Sequence, residues 1–209
     1  MTRQIGILKG LLVVVALIAL PASAGGDAAL LFGAKTIDDS TLDFAGVDGQ
    51  SQFGVAVTLD FEWPVMLAID LLNSSDSANT VVMAGLPINY TTSVDSMEFD
   101  VGVRKLWGER FQPYAGAGLA WVQLDATQRM SGSLLGGGTF DTLVINDSGS
   151  AVGLWLNAGF LYRLTDRFHL GLDIRNSNAD VKLNAVADPI KVELGGGGTQ
   201  YAAAVGFHW

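Results

Sequence analysis

The sequence predicts an all-β fold: an eight-stranded antiparallel up-and-down transmembrane β-barrel, preceded by a cleavable signal peptide. Three observations carry that expectation. Apolar residues alternate with small or polar ones, with a period of two, through eight separate segments. The connections between those segments run long, short, long, short to the end of the chain. The last segment, Gln200 to Trp209, puts Trp209, Phe207, Val205, Ala203 and Tyr201 on one face and His208, Gly206, Ala204 and Ala202 on the other. One greasy face and one cramped, wettable face suit a closed sheet in lipid.

Composition supports the same class. Hydrophobic residues make up 49 % of the 209 and mean hydropathy is +0.35. Yet after residue 24 no run approaches the roughly 18 apolar residues a membrane helix needs. The formal net charge of −9 leaves no basic footprint for nucleic acid. With no cysteine there is no disulfide, no thiolate metal site and no lipid-modified Cys. No cofactor or metal is expected.

Residues 1–24 read as a secretory signal and 25–209 as the barrel. Arg3 and Lys9 give the positive start, Leu11 to Leu20 the apolar core, and Ala22-Ser23-Ala24 the cleavage site. Removing the segment takes away two bases and no acids, leaving a formal charge of about −11.

The strands follow in order. Ala28 to Ile37 sets Leu30, Phe32 and Ala34 against Gly33 and Lys35, before an acidic loop with Asp38, Asp39, Asp43 and Asp48. Gln52 to Glu62 sets Phe53, Val55, Val57, Leu59 and Phe61 against Gly54, Ala56, Thr58, Asp60 and Glu62. Trp63-Pro64 turns the chain, because proline is excluded from a strand interior. Val65 to Leu72 follows, with Asp70 on its polar face, then a long polar loop, Asn73 to Ser93. Val94 to Trp107 sets Met97, Phe99, Val101 and Val103 against Glu98, Asp100, Gly102 and Arg104. After a short turn at Gly108, the segment Gln112 to Leu124 points Ala115, Ala117, Leu119 and Trp121 outward and Gly116 and Gly118 inward; Tyr114 and Val122 fit either phase. Asp125 to Ser148 is read as a long loop with Gly136-Gly137-Gly138. Ser150 to Leu164 sets Val152, Leu154, Leu156, Ala158, Phe160 and Tyr162 against Gly153, Asn157, Gly159 and Arg163. Phe168 to Arg175 sets Phe168, Leu170, Leu172 and Ile174 against His169, Gly171, Asp173 and Arg175. A last loop, Asn176 to Gly198, leads into the closing strand.

The charges decide which face is inside. Asp60, Glu62, Asp70, Glu98, Asp100, Arg104, Arg163, His169, Asp173 and Arg175 share the phase of the small residues, and are expected to form a polar network in the lumen. A soluble ligand-binding barrel would have its apolar phase inside. Trp63, Trp107, Tyr162, Phe168 and Trp209 sit beside the short turns on the apolar phase, as a membrane-interface girdle requires. Lys105 breaks the phase, but beside Trp107 it can snorkel to the headgroups. Eight strands leave a lumen that side chains can fill, and charges there must pair or reach water.

Pro64-Val-Met-Leu-Ala-Ile-Asp-Leu-Leu-Asn-Ser74, Gly102-Val-Arg-Lys-Leu-Trp107, Gln112-Pro-Tyr-Ala-Gly-Ala-Gly-Leu-Ala-Trp121 and Gly159 to Arg175 resemble successive blocks of the bacterial outer-membrane β-barrel family, the porin-like group with opacity and attachment-invasion proteins. The resemblance implies an outer-membrane location reached through the periplasm, with short turns on the periplasmic side. It implies contact with outer-membrane lipid and lipopolysaccharide. It also implies that Tyr201, Val205, Phe207 and Trp209 form the signal read by the assembly machinery, although the family more often ends in Phe than Trp.

Three functions follow for testing. The first is a non-enzymatic surface barrel contributing to envelope integrity or to surface interaction through its long loops, with any surface ligand unknown. The second is a narrow porin-like channel or binder for small solutes, for which the glycine-rich inner face around Gly116 and Gly118 could leave space. The third is a lipid A-modifying enzyme. Some eight-stranded barrels of that kind carry His-x-Ser-Asn-Ala, but here the block reads Arg175-Asn-Ser177-Asn178-Ala179. A serine without a general base is a poor nucleophile, so no catalytic residue is expected. The acidic first loop lacks the spacing of a dedicated calcium loop, and the glycine runs lack the Gly-Lys-Ser/Thr ending of a phosphate cradle.

Overall fold

The computed structural model describes residues 25–37, 42, 46–83, 86–133, 137–184 and 191–209. The expected signal segment 1–24 therefore lies outside the described residues, as do Asp38, Asp39 and Asp43 of the acidic loop and Gly136. The strands are β1 (Gly25–Thr36), β2 (Gly49–Asp60), β3 (Met66–Met83), β4 (Pro87–Leu106), β5 (Phe111–Ser133), β6 (Thr139–Arg163), β7 (Phe168–Asn178), β8 (Asp180–Asn184), β9 (Lys191–Gly195) and β10 (Gly198–His208). Eight of them close into one antiparallel barrel, while β8 and β9 form a separate hairpin.

The ring closes between β1 and β10, from Asp27 opposite His208 to Thr36 opposite Thr199. Beyond that ladder, Gly26 and Trp209 exchange N–H···O=C bonds of 3.1 Å each. Closure leaves no unpaired edge inside the lipid, where an unsatisfied amide is costly.

The alternation read from the sequence sets the two faces. Leu30, Phe53, Val103, Leu119, Leu154 and Leu172 are exposed on the outer wall, and Lys35, Asp70, Glu98, Asp100, Asp173 and Arg175 are buried in the lumen. Tyr114 and Val122 are buried, so β5 has the orientation that sends Ala115, Leu119 and Trp121 outward.

Three expectations about connections are corrected. The stretches 73–93 and 125–148 are mostly strand, because β3 runs on to Met83, β4 starts at Pro87, and β5 and β6 pair from Phe111 to Ser133. Above the lipid the outer face meets water instead of hydrocarbon, so the greasy alternation that marks a strand disappears while Thr and Val still favour extended backbone. The strands β3 to β6 have 18, 20, 23 and 25 residues, against 12, 12, 11 and 11 for β1, β2, β7 and β10. Crossing a bilayer takes about 9–11 residues. Half of the barrel wall therefore stands above the membrane as a four-stranded sheet. The last loop is likewise structured, by the β8–β9 hairpin, which packs against β6.

Candidate functional site

The lumen holds the polar residues in layers. At the short-turn end, His169 Nδ1 lies 3.1 Å from the Asp27 carboxylate. Arg163 donates to Gln112 Oε1 at 3.1 Å and approaches His208 Nε2 at 3.3 Å.

The middle layer is built on Arg175. Asp70 and Asp100 face each other across the β3–β4 ladder, and like charges placed opposite repel. Arg175 reaches across the lumen from β7 and donates to both carboxylates. Arg104 adds a 2.7 Å bond to Asp70 and a 2.9 Å bond to Thr58. Asp173 accepts from Tyr114 OH at 2.6 Å and Asn157 Nδ2 at 2.8 Å. These bonds let charges persist in a wall that excludes water.

The upper layer is built on Lys35. Its ammonium donates to Glu98 at 3.1 Å, to Ser96 at 3.3 Å and to the Gly196 carbonyl at 2.8 Å. Gln200 donates to Glu98 at 2.8 Å, and Gln52 to Gln200 at 2.7 Å. Above this layer lies an apolar cap that includes Ile37, Leu42, Val47, Val94, Leu124, Val181, Leu183 and Leu194. Val181, Leu183 and Leu194 come from the β8–β9 hairpin, folded over the long-loop end.

Sequence reasoning missed Trp155. It is 1 % exposed in the lumen, with its ring 5.1 Å from the Arg175 guanidinium. A Cβ at Gly102 or Gly118 would come within 2.8 Å of that ring, so the space left by the glycine-rich wall is already filled. The signal was in the sequence, since Trp155 shares the inward phase of Gly153 and Asn157. A cavity between Asp27, Thr58, Arg104, Tyr114 and Asp173 measures about 20 Å³, enough for about one water.

Most of the expected lumen residues meet in these layers: Asp70 with Asp100, Arg104 and Arg175, then Glu98, Asp173, Arg163 and His169 with the partners given above. Asp60 sits at the short-turn rim, where its carboxylate accepts the Glu62 N–H at 2.8 Å. Glu62 is a correction. β2 ends at Asp60, and Glu62 takes a φ of 63° in the exposed turn that Trp63-Pro64 forces. Trp63 also sits in that turn rather than on a strand, 5.4 Å from the Phe61 ring.

The other aromatic rings line the short-turn end of the outer wall. Phe168 packs on Phe207 at 5.7 Å, and Phe207 lies 6.5 Å from Trp209. Tyr162 carries the Arg110 guanidinium at 5.4 Å. Trp107 is exposed, and Phe111 with Phe160, at 5.3 Å, joins the same region. Tyr201 and Val205 face outward higher on β10.

Ser177 Oγ is buried with no hydrogen-bond partner among the described residues. His169 lies eight residues back along the same strand, about 26 Å away, and serves Asp27 instead. Among the described residues, no group of three or more His, Cys, Asp or Glu side chains is placed to hold a metal ion.

Among solved structures the chain is similar to the outer membrane protein OprG from Pseudomonas aeruginosa, at 16 % identity and a TM-score of 0.57, covering 89 % of this chain and 97 % of that one. The attachment invasion locus protein Ail of Yersinia pestis matches more weakly, at 12 % identity and a TM-score of 0.48 over 89 % and 99 %. No curated protein matches the chain. The family model for the outer membrane protein beta-barrel domain matches residues 10–207. That match spans nearly the whole chain, and with it the chain belongs to the outer membrane protein β-barrel family and resides in the bacterial outer membrane.

Proposed function

We propose that this protein works through its extracellular surface and not through its lumen, as a non-enzymatic barrel contributing to envelope integrity or to surface contacts. One observation carries the reading: among the described residues, buried side chains cross the lumen in successive layers. The Arg163, Arg175 and Lys35 layers and the apolar cap follow one another along the axis. Side chains bonded to one another across the axis in this way oppose the passage of a hydrated ion. The four-stranded sheet of β3 to β6, by contrast, stands clear of the lipid.

The test is current through the refolded protein in planar bilayers, with heat-modifiable gel mobility confirming the barrel. A silent bilayer, together with an envelope or adhesion defect on gene deletion, is the expected pair of results. Steady channel steps from the wild type would overturn the reading in favour of a narrow solute conduit.

The same proposal covers export and assembly. Residues 1–24 direct export and are removed, a reading that Arg3, Lys9, the Leu11 to Leu20 run and Ala22-Ser23-Ala24 support. The outward residues Tyr201, Val205, Phe207 and Trp209 are read by the assembly machinery. Lipid and lipopolysaccharide cover the outer wall. The mass of the mature protein checks the cleavage position.

A further inference from the structure

We infer that two side-chain clasps, His169–Asp27 and Gln52–Gln200, lock the closing seam of the barrel and set how slowly it opens. This goes beyond the surface-acting reading and does not depend on it. Seven of the eight neighbouring pairs in the ring are joined directly along the chain, by a turn, by a loop or, for β7 and β10, through the β8–β9 hairpin. The eighth pair is β1 with β10, the first and last strands. Pairing them closes the longest loop in the sheet, so this seam forms last and opens first.

The inward row of the seam carries no hydrogen-bonding side chain along its middle: Ala29 faces Gly206, Leu31 faces Ala204 and Gly33 faces Ala202. At each end of that row a hydrogen bond reaches over a whole strand, across two strand spacings or about 9.5 Å. His169 on β7 lies opposite Gly206 on β10, and its Nδ1 meets the Asp27 carboxylate on β1 at 3.1 Å. The imidazole thus crosses β10, and a Cβ at Gly206 would collide with it. At the other end Gln52 on β2 lies opposite Gly33 on β1 and donates to Gln200 Oε1 on β10 at 2.7 Å. That amide crosses β1. His169, Gln52 and Gln200 are buried and Asp27 is half-buried, so water competes little for these bonds. Each bond has its partners on opposite sides of the seam and forms only when β1 and β10 lie together. Interactions that appear after the closing step slow opening and leave the folding rate unchanged.

The experiment compares folding and unfolding rates of the refolded barrel, followed by heat-modifiable gel mobility. His169→Phe keeps an aromatic ring and removes both nitrogens; Gln52→Leu removes the amide. Each should open about tenfold faster than wild type and fold within about twofold of it. Both are then repeated with Leu31→Cys and Ala204→Cys. Gly26 and Trp209 exchange both backbone bonds, so alternation makes Leu31 and Ala204 a non-hydrogen-bonded pair with Cα atoms about 4.5 Å apart, within reach of a disulfide. The chain has no cysteine of its own to compete. With the staple oxidised, the clasp variants should open no faster than the stapled barrel alone, and reduction should restore the difference. Faster opening that persists under the staple would mean that these side chains act by local packing, and overturns the inference. So does opening at the wild-type rate in either variant, or slower folding with unchanged opening. Should His169→Phe yield no barrel, Asp27→Ala, which leaves the ring in place, carries the same comparison.

Discussion

The Arg175 guanidinium lies 5.1 Å from the Trp155 ring on one side and bonds Asp70 and Asp100 on the other. Arg175 is thus the cross-brace of the lumen, tying β7 to the β3–β4 wall. Arg175→Met leaves two facing carboxylates with only Arg104 near them. The expected loss is about 3–5 kcal/mol, read from urea unfolding of the refolded barrel. Asp100→Asn together with Arg175→Met should recover much of it, since Asp70 keeps its bond to Arg104. A double variant no more stable than Arg175→Met would show that the brace does not work by charge compensation.

Trp155→Ala empties the space beside Gly102 and Gly118. A buried aromatic cut to alanine costs about 3–5 kcal/mol. Planar bilayers should nonetheless stay silent, because the cap of Val94, Leu124, Val181 and Leu194 lies above the cavity. Current from this variant alone would mean that the cap does not seal.

Lys35 joins the lumen network to the segment that carries the cap, through Glu98 on one side and the Gly196 carbonyl on the other. Lys35→Met leaves Glu98 with no cation and only the Gln200 amide, and should cost about 3–5 kcal/mol. It should also speed cleavage within residues 179–197 when intact cells are treated with protease. Adding Glu98→Gln should restore stability but not protease resistance, since Gly196 still lacks its donor. Recovery of both together would mean that the Gly196 bond holds nothing in place.

Gly26 lies beneath the Trp209 indole on the outer wall. A Cβ there would sit 2.8 Å from a ring carbon and 2.9 Å from the Thr58 carbonyl. Gly26→Ala should therefore cost about 1–3 kcal/mol by overpacking. It should also lower the yield of heat-modifiable barrel, because Gly26 and Trp209 also share the last backbone bonds of the closing seam. Ala34→Val, exposed at the other end of β1, should fold like wild type. Equal yields for Gly26→Ala and wild type would separate the seam from barrel formation.

Much of the site was legible because phase is a local property. Asp70, Glu98, Asp100, Arg104, Asp173 and Arg175 could be assigned to the lumen from their neighbours alone. Two errors were also local. Glu62 continues the alternation on paper, yet Trp63-Pro64 ends β2 at Asp60 and sends Glu62 into the turn. Trp155 was passed over because a large aromatic on the glycine phase looks misplaced until the facing wall of glycines is known.

By itself, the sequence determined the strands that cross the lipid, the face each presents and the end that carries the short turns. Side-chain alternation and turn residues encode these things within a few positions of one another. Only the tertiary structure decided which charges meet, because Arg175 is 75 and 105 residues from its partners and Lys35 is 63 from Glu98. It also decided that the presumed loops of β3 to β6 stand as a sheet and that the β8–β9 hairpin contributes to the cap. Outside the lipid the outer face of a strand is wet, so no greasy alternation records it, and pairing with its neighbours holds it extended.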